Sequence, residues 1–163
     1  MQYNRGITLT SLVITIIIIL ILAGTATYSG IYTLQSAKKT SFVTELKAVQ
    51  AKVNLYSQKE ESQYNNLGQE INENNVSQIQ QQKIMQSTSK QNLDGFKYFY
   101  GTDYEDIELS GIKQETLINF KTKEVISVKG INLDGKLYYT LHELGEGPEN
   151  IEYIDKTNSV NEI

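Results

Sequence analysis

Side chains able to do chemistry are few in this chain of 163 residues. There is no cysteine, which excludes thiolate nucleophiles, thiolate metal sites and disulfides. His142 is the single histidine. Alone at the end of a strand-like run, it reads as a surface residue rather than a base or ligand. No Gly-x-Ser-x-Gly, phosphate-binding loop or zinc-ligand spacing occurs. Asp103, Glu105, Asp106 and Glu108 gather carboxylates but lack the turn glycine and spaced oxygen ligands of a calcium loop, so they read as a solvated acidic face. Neither catalysis, a metal nor a cofactor is expected. One junction looks instead like a protease recognition site. Arg5-Gly6-Ile7 joins a short polar leader to an apolar run. Glycine at the junction would let a peptidase approach the backbone closely; the competing reading is that Gly6 merely ends a flexible tail.

The element that must position this junction follows it directly. No charged side chain occurs from Ile7 to Ala37. A bilayer core needs about 20 apolar residues in a helix, and Ile7 to Ala26 supplies them. Twelve Ile, Leu and Val residues lie in that stretch. At roughly 0.3–0.6 kcal/mol each they favour insertion by about 4–7 kcal/mol, more than Thr8, Thr10, Ser11 and Thr15 oppose it. β-Branched isoleucine is only a modest helix former in water, but in lipid every backbone group must be paired within the segment. A single transmembrane helix is therefore expected. Arg5 precedes it and the next cations are Lys38 and Lys39, which favours a cytoplasmic N-terminus and an extracytoplasmic bulk. A cleaved secretory signal with a site near Ala23–Ala26 is a competing reading, but the apolar run is longer than usual and the basic region minimal. An uncleaved signal anchor is another.

The order of residues favours a third reading. The leader MQYNRG ends in Gly6; Ile7, Thr8 and Leu9 follow, and the apolar run closes at Leu22-Ala23-Gly24. This resembles the N-terminal segment of type IV pilins and type II secretion pseudopilins, over residues 5–30. The resemblance implies cleavage between Gly6 and Ile7 by a membrane-embedded prepilin peptidase that also methylates Ile7. It further implies partnership with other pilin-like subunits, an assembly platform and its ATPase, and a place in a surface filament after storage in the lipid bilayer.

One position departs from the family pattern. The family usually carries a glutamate at the fifth residue after the cut, where it balances a neighbour's N-terminal amine. Here that residue is Ser11, preceded by Thr10. Hydroxyls accept hydrogen bonds but cannot cancel a buried charge. A minor, accessory or tip subunit is therefore expected, or a lineage that solves the amine problem differently, rather than one that polymerises alone on the family pattern.

Beyond the anchor, the pattern predicts that the helix continues to about residue 60. Phe42, Leu46, Val49, Val53 and Tyr56 recur at spacings of 4, 3, 4 and 3. At 100° per residue they occupy an arc of about 80°. Roughly opposite, Ala23, Gly30, Ala37, Thr44 and Ala51 recur every seven residues, a stripe that lets helices approach closely. The large face should dock on the chain's own sheet and the small face should meet neighbouring helices.

The remaining segments complete the expected layout. Residues 1–6 are the leader, 7–30 the transmembrane half of the helix and 31–60 its amphipathic half. Residues 61–94 are amide-rich and read as a polar connection, with Val76, Ile79 and Ile84 able to anchor a short helix. Within 95–145, Phe96–Tyr100, Thr116–Lys121, Glu124–Lys129 and Lys136–Leu141 read as strands. A turn at Lys121–Glu124 should pair two of them, and Asp134-Gly135 is a type I′ hairpin signal. Asp103 to Leu109 reads as a helical turn capped by Asp103 and stopped by Gly111. Residues 146–163 form a polar tail. The fold class expected is α+β and pilin-like: a long N-terminal helix packed on an antiparallel sheet of three to four strands.

The net charge of −4 argues against nucleic acid as a direct partner. Two functions remain: a pilin-like or pseudopilin filament subunit, or a signal-anchored extracytoplasmic binding domain that never polymerises.

Overall fold

The computed structural model describes residues 9–147, leaving the side chains of residues 26–29 aside. The chain divides into two compact units, Met1–Ser41 and Phe42–Ile163. Helix α1 spans Leu9–Tyr56. In the first unit it is the only element among the described residues. Every described apolar side chain from Leu9 to Leu22 is about half exposed or more.

The second unit holds the rest of α1, helix α2 (Gln78–Ser87) and five short strands. Strands β1 (Lys97–Phe99), β2 (Thr116–Asn119) and β3 (Glu124–Ser127) form one antiparallel sheet in that order. Strands β4 (Ile131–Leu133) and β5 (Lys136–Tyr138) form a separate hairpin. The architecture is α+β, with an apolar N-terminal helix and small antiparallel sheets of three and two strands. The expected single sheet is thus divided. Its last strand is also shorter than expected, because the chain turns after Tyr138, where the Glu143 carboxylate accepts the Thr140 N–H at 2.9 Å.

The turns follow their residue types. Asp134 and Gly135 both have positive φ, at 52° and 84°, as a type I′ turn requires. The β2–β3 turn pairs Asn119 with Glu124. Asn119 Oδ1 accepts the N–H groups of Lys121 and Thr122, and Lys123 takes the left-handed position, φ 59°. The helical turn is a 3-10 helix over Gly101–Ile107. Asp103 lies one turn inside it and caps by accepting the Tyr100 N–H at 3.0 Å. The turn stops at Glu108 (φ 58°), before Gly111 is reached.

Helix α1 ends at Tyr56 rather than near residue 60. The N–H groups of Gln58 and Lys59 reach carbonyls three residues back, at 3.3 and 2.9 Å, which tightens the last turn and closes it.

Both faces of the three-stranded sheet are covered. Phe42, Leu46, Val49, Val53 and Tyr56 are buried against Phe99, Ile118, Phe120 and Val125. On the opposite face Tyr98, Leu117 and Ile126 meet Val76, Ile84 and Leu93. Successive strand residues therefore enter different cores, as the period of two demands. The second cover comes from the amide-rich stretch 61–94, expected to be connection or marginal helix. Ser77 caps α2 by accepting the Gln80 N–H, and Val76 and Ile84 anchor it. Ile79, expected to help, is 68% exposed.

Candidate functional surfaces

Two surfaces and a groove are candidates for function. Gly6 and Ile7, the expected processing site, lie outside the described residues.

The first surface is α1 in the first unit. It is long and apolar enough to cross a membrane, by length and composition, and none of its apolar window is buried. Thr10 and Ser11 are exposed on it. Its hydroxyls turn back onto the helix: Thr15 Oγ1 donates to the Ser11 carbonyl at 2.8 Å, and Thr25 Oγ1 to the Leu22 carbonyl at 3.0 Å. Back-bonding of this kind removes the hydroxyl proton from competition for water and makes threonine compatible with lipid. Ala23, Gly30 and Ala37 are all exposed, and a Cβ added at Gly24 or Gly30 would meet nothing within 4 Å.

The second surface is the part of α1 that faces away from the sheet in the second unit. Thr44, Ala51 and Leu55 are exposed there, Leu55 by 49%. Charged groups on this part of the helix are tied to the domain: Lys47 pairs with Glu146 at 3.0 Å and Lys52 with Glu108 at 2.9 Å. The Lys52 ammonium holds the Glu108 carboxyl below its ordinary range, chiefly by its hydrogen bond. Gln50 Nε2 donates to the Lys123 carbonyl at 2.8 Å and to Asn54 Oδ1 at 3.1 Å. The two expected faces of this half-helix are therefore distinct, one buried and one exposed.

No family model, curated protein or solved structure matches this chain. Function has to be read from these surfaces themselves.

The carboxylates singled out in the sequence serve the backbone and neighbouring side chains. Asp103 accepts from the Tyr100 N–H and from Gln69 Nε2, the latter at 2.9 Å, and Glu108 is held by Lys52. Among the described residues, no group of three metal-ligating side chains forms. His142 is exposed and stands at the rim of a groove of about 320 Å³. The groove runs between the end of α2, the β2–β3 turn and the loop Thr140–Gly147. Its floor is Val125, Ile126 and Leu141, and a Lys90–Glu124 ion pair crosses its rim. Ser89 and Lys123, both left-handed without being glycine, border it. Sequence reasoning missed this groove, because its walls come from separate segments and share no local pattern.

Proposed function

We propose that this chain is a pilin-like or pseudopilin subunit. In this reading it is cut between Gly6 and Ile7, methylated at Ile7, held in the membrane by α1 and then lifted into a helical filament. The observation that carries the reading is the two-sided character of α1. One face of its second part completes the core of the globular unit, while its apolar first part and its small-residue face stay uncovered. An apolar helix needs lipid or other helices around it, and small residues allow helices to approach closely. A filament core supplies both. The order of residues 5–30, with glycine before an uncharged apolar run, supports the same reading.

Its partners in this reading are a prepilin peptidase, other pilin-like subunits, an assembly platform with its ATPase, and the bilayer. The N-terminus faces the cytoplasm and the globular unit lies outside. Ser11 cannot neutralise a buried amine, which supports reading the chain as a minor or accessory subunit of a filament whose other members supply carboxylates. Mass measurement of the mature N-terminus tests the proposal. A chain beginning at methylated Ile7 supports it. An intact leader, or a cut near Ala26, replaces it with the signal-anchored binding domain.

A further inference from the structure

Residues 30–41 of α1, all within the first unit, divide into two chemically different halves. At 100° per residue Ile31, Tyr32, Leu34, Gln35, Lys38 and Lys39 fall within an arc of about 160°. Gly30, Thr33, Ser36, Ala37, Thr40 and Ser41 fill the other side. That other side is small and neutral, and Thr40 Oγ1 donates back to the Ser36 carbonyl at 2.9 Å. The first half combines bulk with charge. Ile31 is 56% exposed, Tyr32 71% and Leu34 57%, and Lys38 is exposed as well. Lys38 and Lys39 are the only charged side chains between Arg5 and Glu45, so they alone set the charge where α1 leaves its apolar run. Tyr32 stands 23 residues beyond Leu9, about 35 Å along the helix at about 1.5 Å each. The hydrocarbon core of a bilayer is about 30 Å thick, and headgroups extend that to about 40–45 Å. With Leu9 at one face of the core, Tyr32 therefore reaches the headgroup layer of the opposite leaflet. Lys38 starts about 9 Å further out. Helix side chains lean toward the N-terminus, however, and a lysine stem follows apolar surface while its ammonium stays in the polar layer. The Lys38 ammonium thus comes back by about one turn, to the edge of the headgroup layer.

We propose that Ile31, Tyr32, Leu34, Lys38 and Lys39 form a collar that binds anionic phospholipid headgroups of the bilayer, on the leaflet where α1 emerges toward its C-terminal end. Ile31 and Leu34 are as exposed as the apolar side chains of the span itself, so the surface that needs lipid continues to them. Tyr32 has an apolar body and a polar tip, the composition suited to a membrane–water boundary. Ammonium groups on the same half of the helix attract negative headgroups within a Debye length. The neutral half carries no such charge and suits contact with other helices. The collar rests on the reading that α1 spans a bilayer; it needs neither cleavage after Gly6 nor entry into a filament.

The chain has no tryptophan, so Tyr32→Trp introduces a single fluorescent probe at the collar. The full chain carrying it is reconstituted in mixed vesicles of phosphatidylcholine and phosphatidylglycerol, with a trace of either lipid bearing pyrene on an acyl chain. Energy transfer from the tryptophan to labelled phosphatidylglycerol should exceed transfer to labelled phosphatidylcholine by at least about twofold. High salt should weaken that preference, and Lys38→Gln combined with Lys39→Gln should abolish it. Equal transfer to the two lipids with both lysines intact overturns the collar and leaves the span in place. A preference unchanged by the double substitution overturns it as well. A tryptophan that acrylamide quenches as fully as one free in water overturns the collar and the span together.

Discussion

Glu45 on α1 accepts the backbone N–H of Lys113 at 2.9 Å, and the same carboxylate oxygen takes the Gln114 N–H at 3.1 Å. One helix side chain thereby fixes the loop that leads into β2. Hydrogen bonds to a charged group contribute about 1.5–3 kcal/mol. Glu45→Ala should destabilise the second unit by about 2 kcal/mol, and Glu45→Gln by less, since the amide oxygen still accepts. Denaturant unfolding in detergent measures the difference; equal losses in the two variants would deny the carboxylate its role.

Leu46 and Leu55 lie on the same helix with opposite surroundings. Leu46 is fully buried, and Leu46→Ala should cost about 2–5 kcal/mol of stability. Leu55 is half exposed, and Leu55→Ala should shift stability by less than about 0.5 kcal/mol. Thermal unfolding of the pair separates the two faces of α1.

The Tyr139 hydroxyl is buried without a hydrogen-bond partner among the described residues. Leaving such a group unpaired costs about 1–3 kcal/mol. Tyr139→Phe should therefore raise stability, by about 1 kcal/mol. A loss of similar size would show that the hydroxyl is satisfied after all.

Burial, with the nearby Glu115 carboxylate adding to it, raises the Tyr98 phenol to about 12. Its folded value lies above the ordinary 10, so the folded state holds this proton longer than the unfolded chain. Its contribution to stability is whole below pH 10 and is lost as pH rises from about 10 to 12. Tyr98→Phe should flatten the stability profile in that window. Tyr104, whose phenol burial also pushes up, leaves a residual slope.

Assembly should respond to residues that stability ignores. Gly30→Leu and Ala37→Leu place bulk on exposed helix positions, so the second unit should unfold as before while filament incorporation falls. Ser11→Glu should alter incorporation by supplying the carboxylate that a neighbour's amine lacks. Immunoblotting of sheared filaments reads both. Unchanged incorporation in all three variants would count against α1 as the packing element.

The parts of the fold legible in the sequence are those with a strong local period or turn chemistry. Phe42 to Tyr56 reads as one buried face because large side chains recur every three or four positions, and each of the five is in the core. Asp134-Gly135 reads as a hairpin because few other pairs accept two positive φ angles. The second core escapes such reading. Val76, Ile84 and Leu93 lie among glutamines and asparagines, and what buries them is the far face of a sheet formed by residues 97–127. The division into two sheets escapes it too, because Leu137, Tyr139 and Leu141 alternate as one strand would. The Glu143 contacts that break that strand involve a side chain past its end. Of the candidate surfaces, the helix faces are periodic and therefore readable, whereas the groove is assembled from distant loops.

Among the described residues, no side chain before Phe42 is buried. The chain thus carries two nearly independent mutational ledgers. Substitutions at the described, unburied side chains of this stretch remove nothing from the core of the second unit, so selection there can act largely on environment and neighbours. Substitutions after that point must first satisfy a core closed on both sides of its sheet. A lineage can retune one stretch rapidly while the other stays fixed by packing.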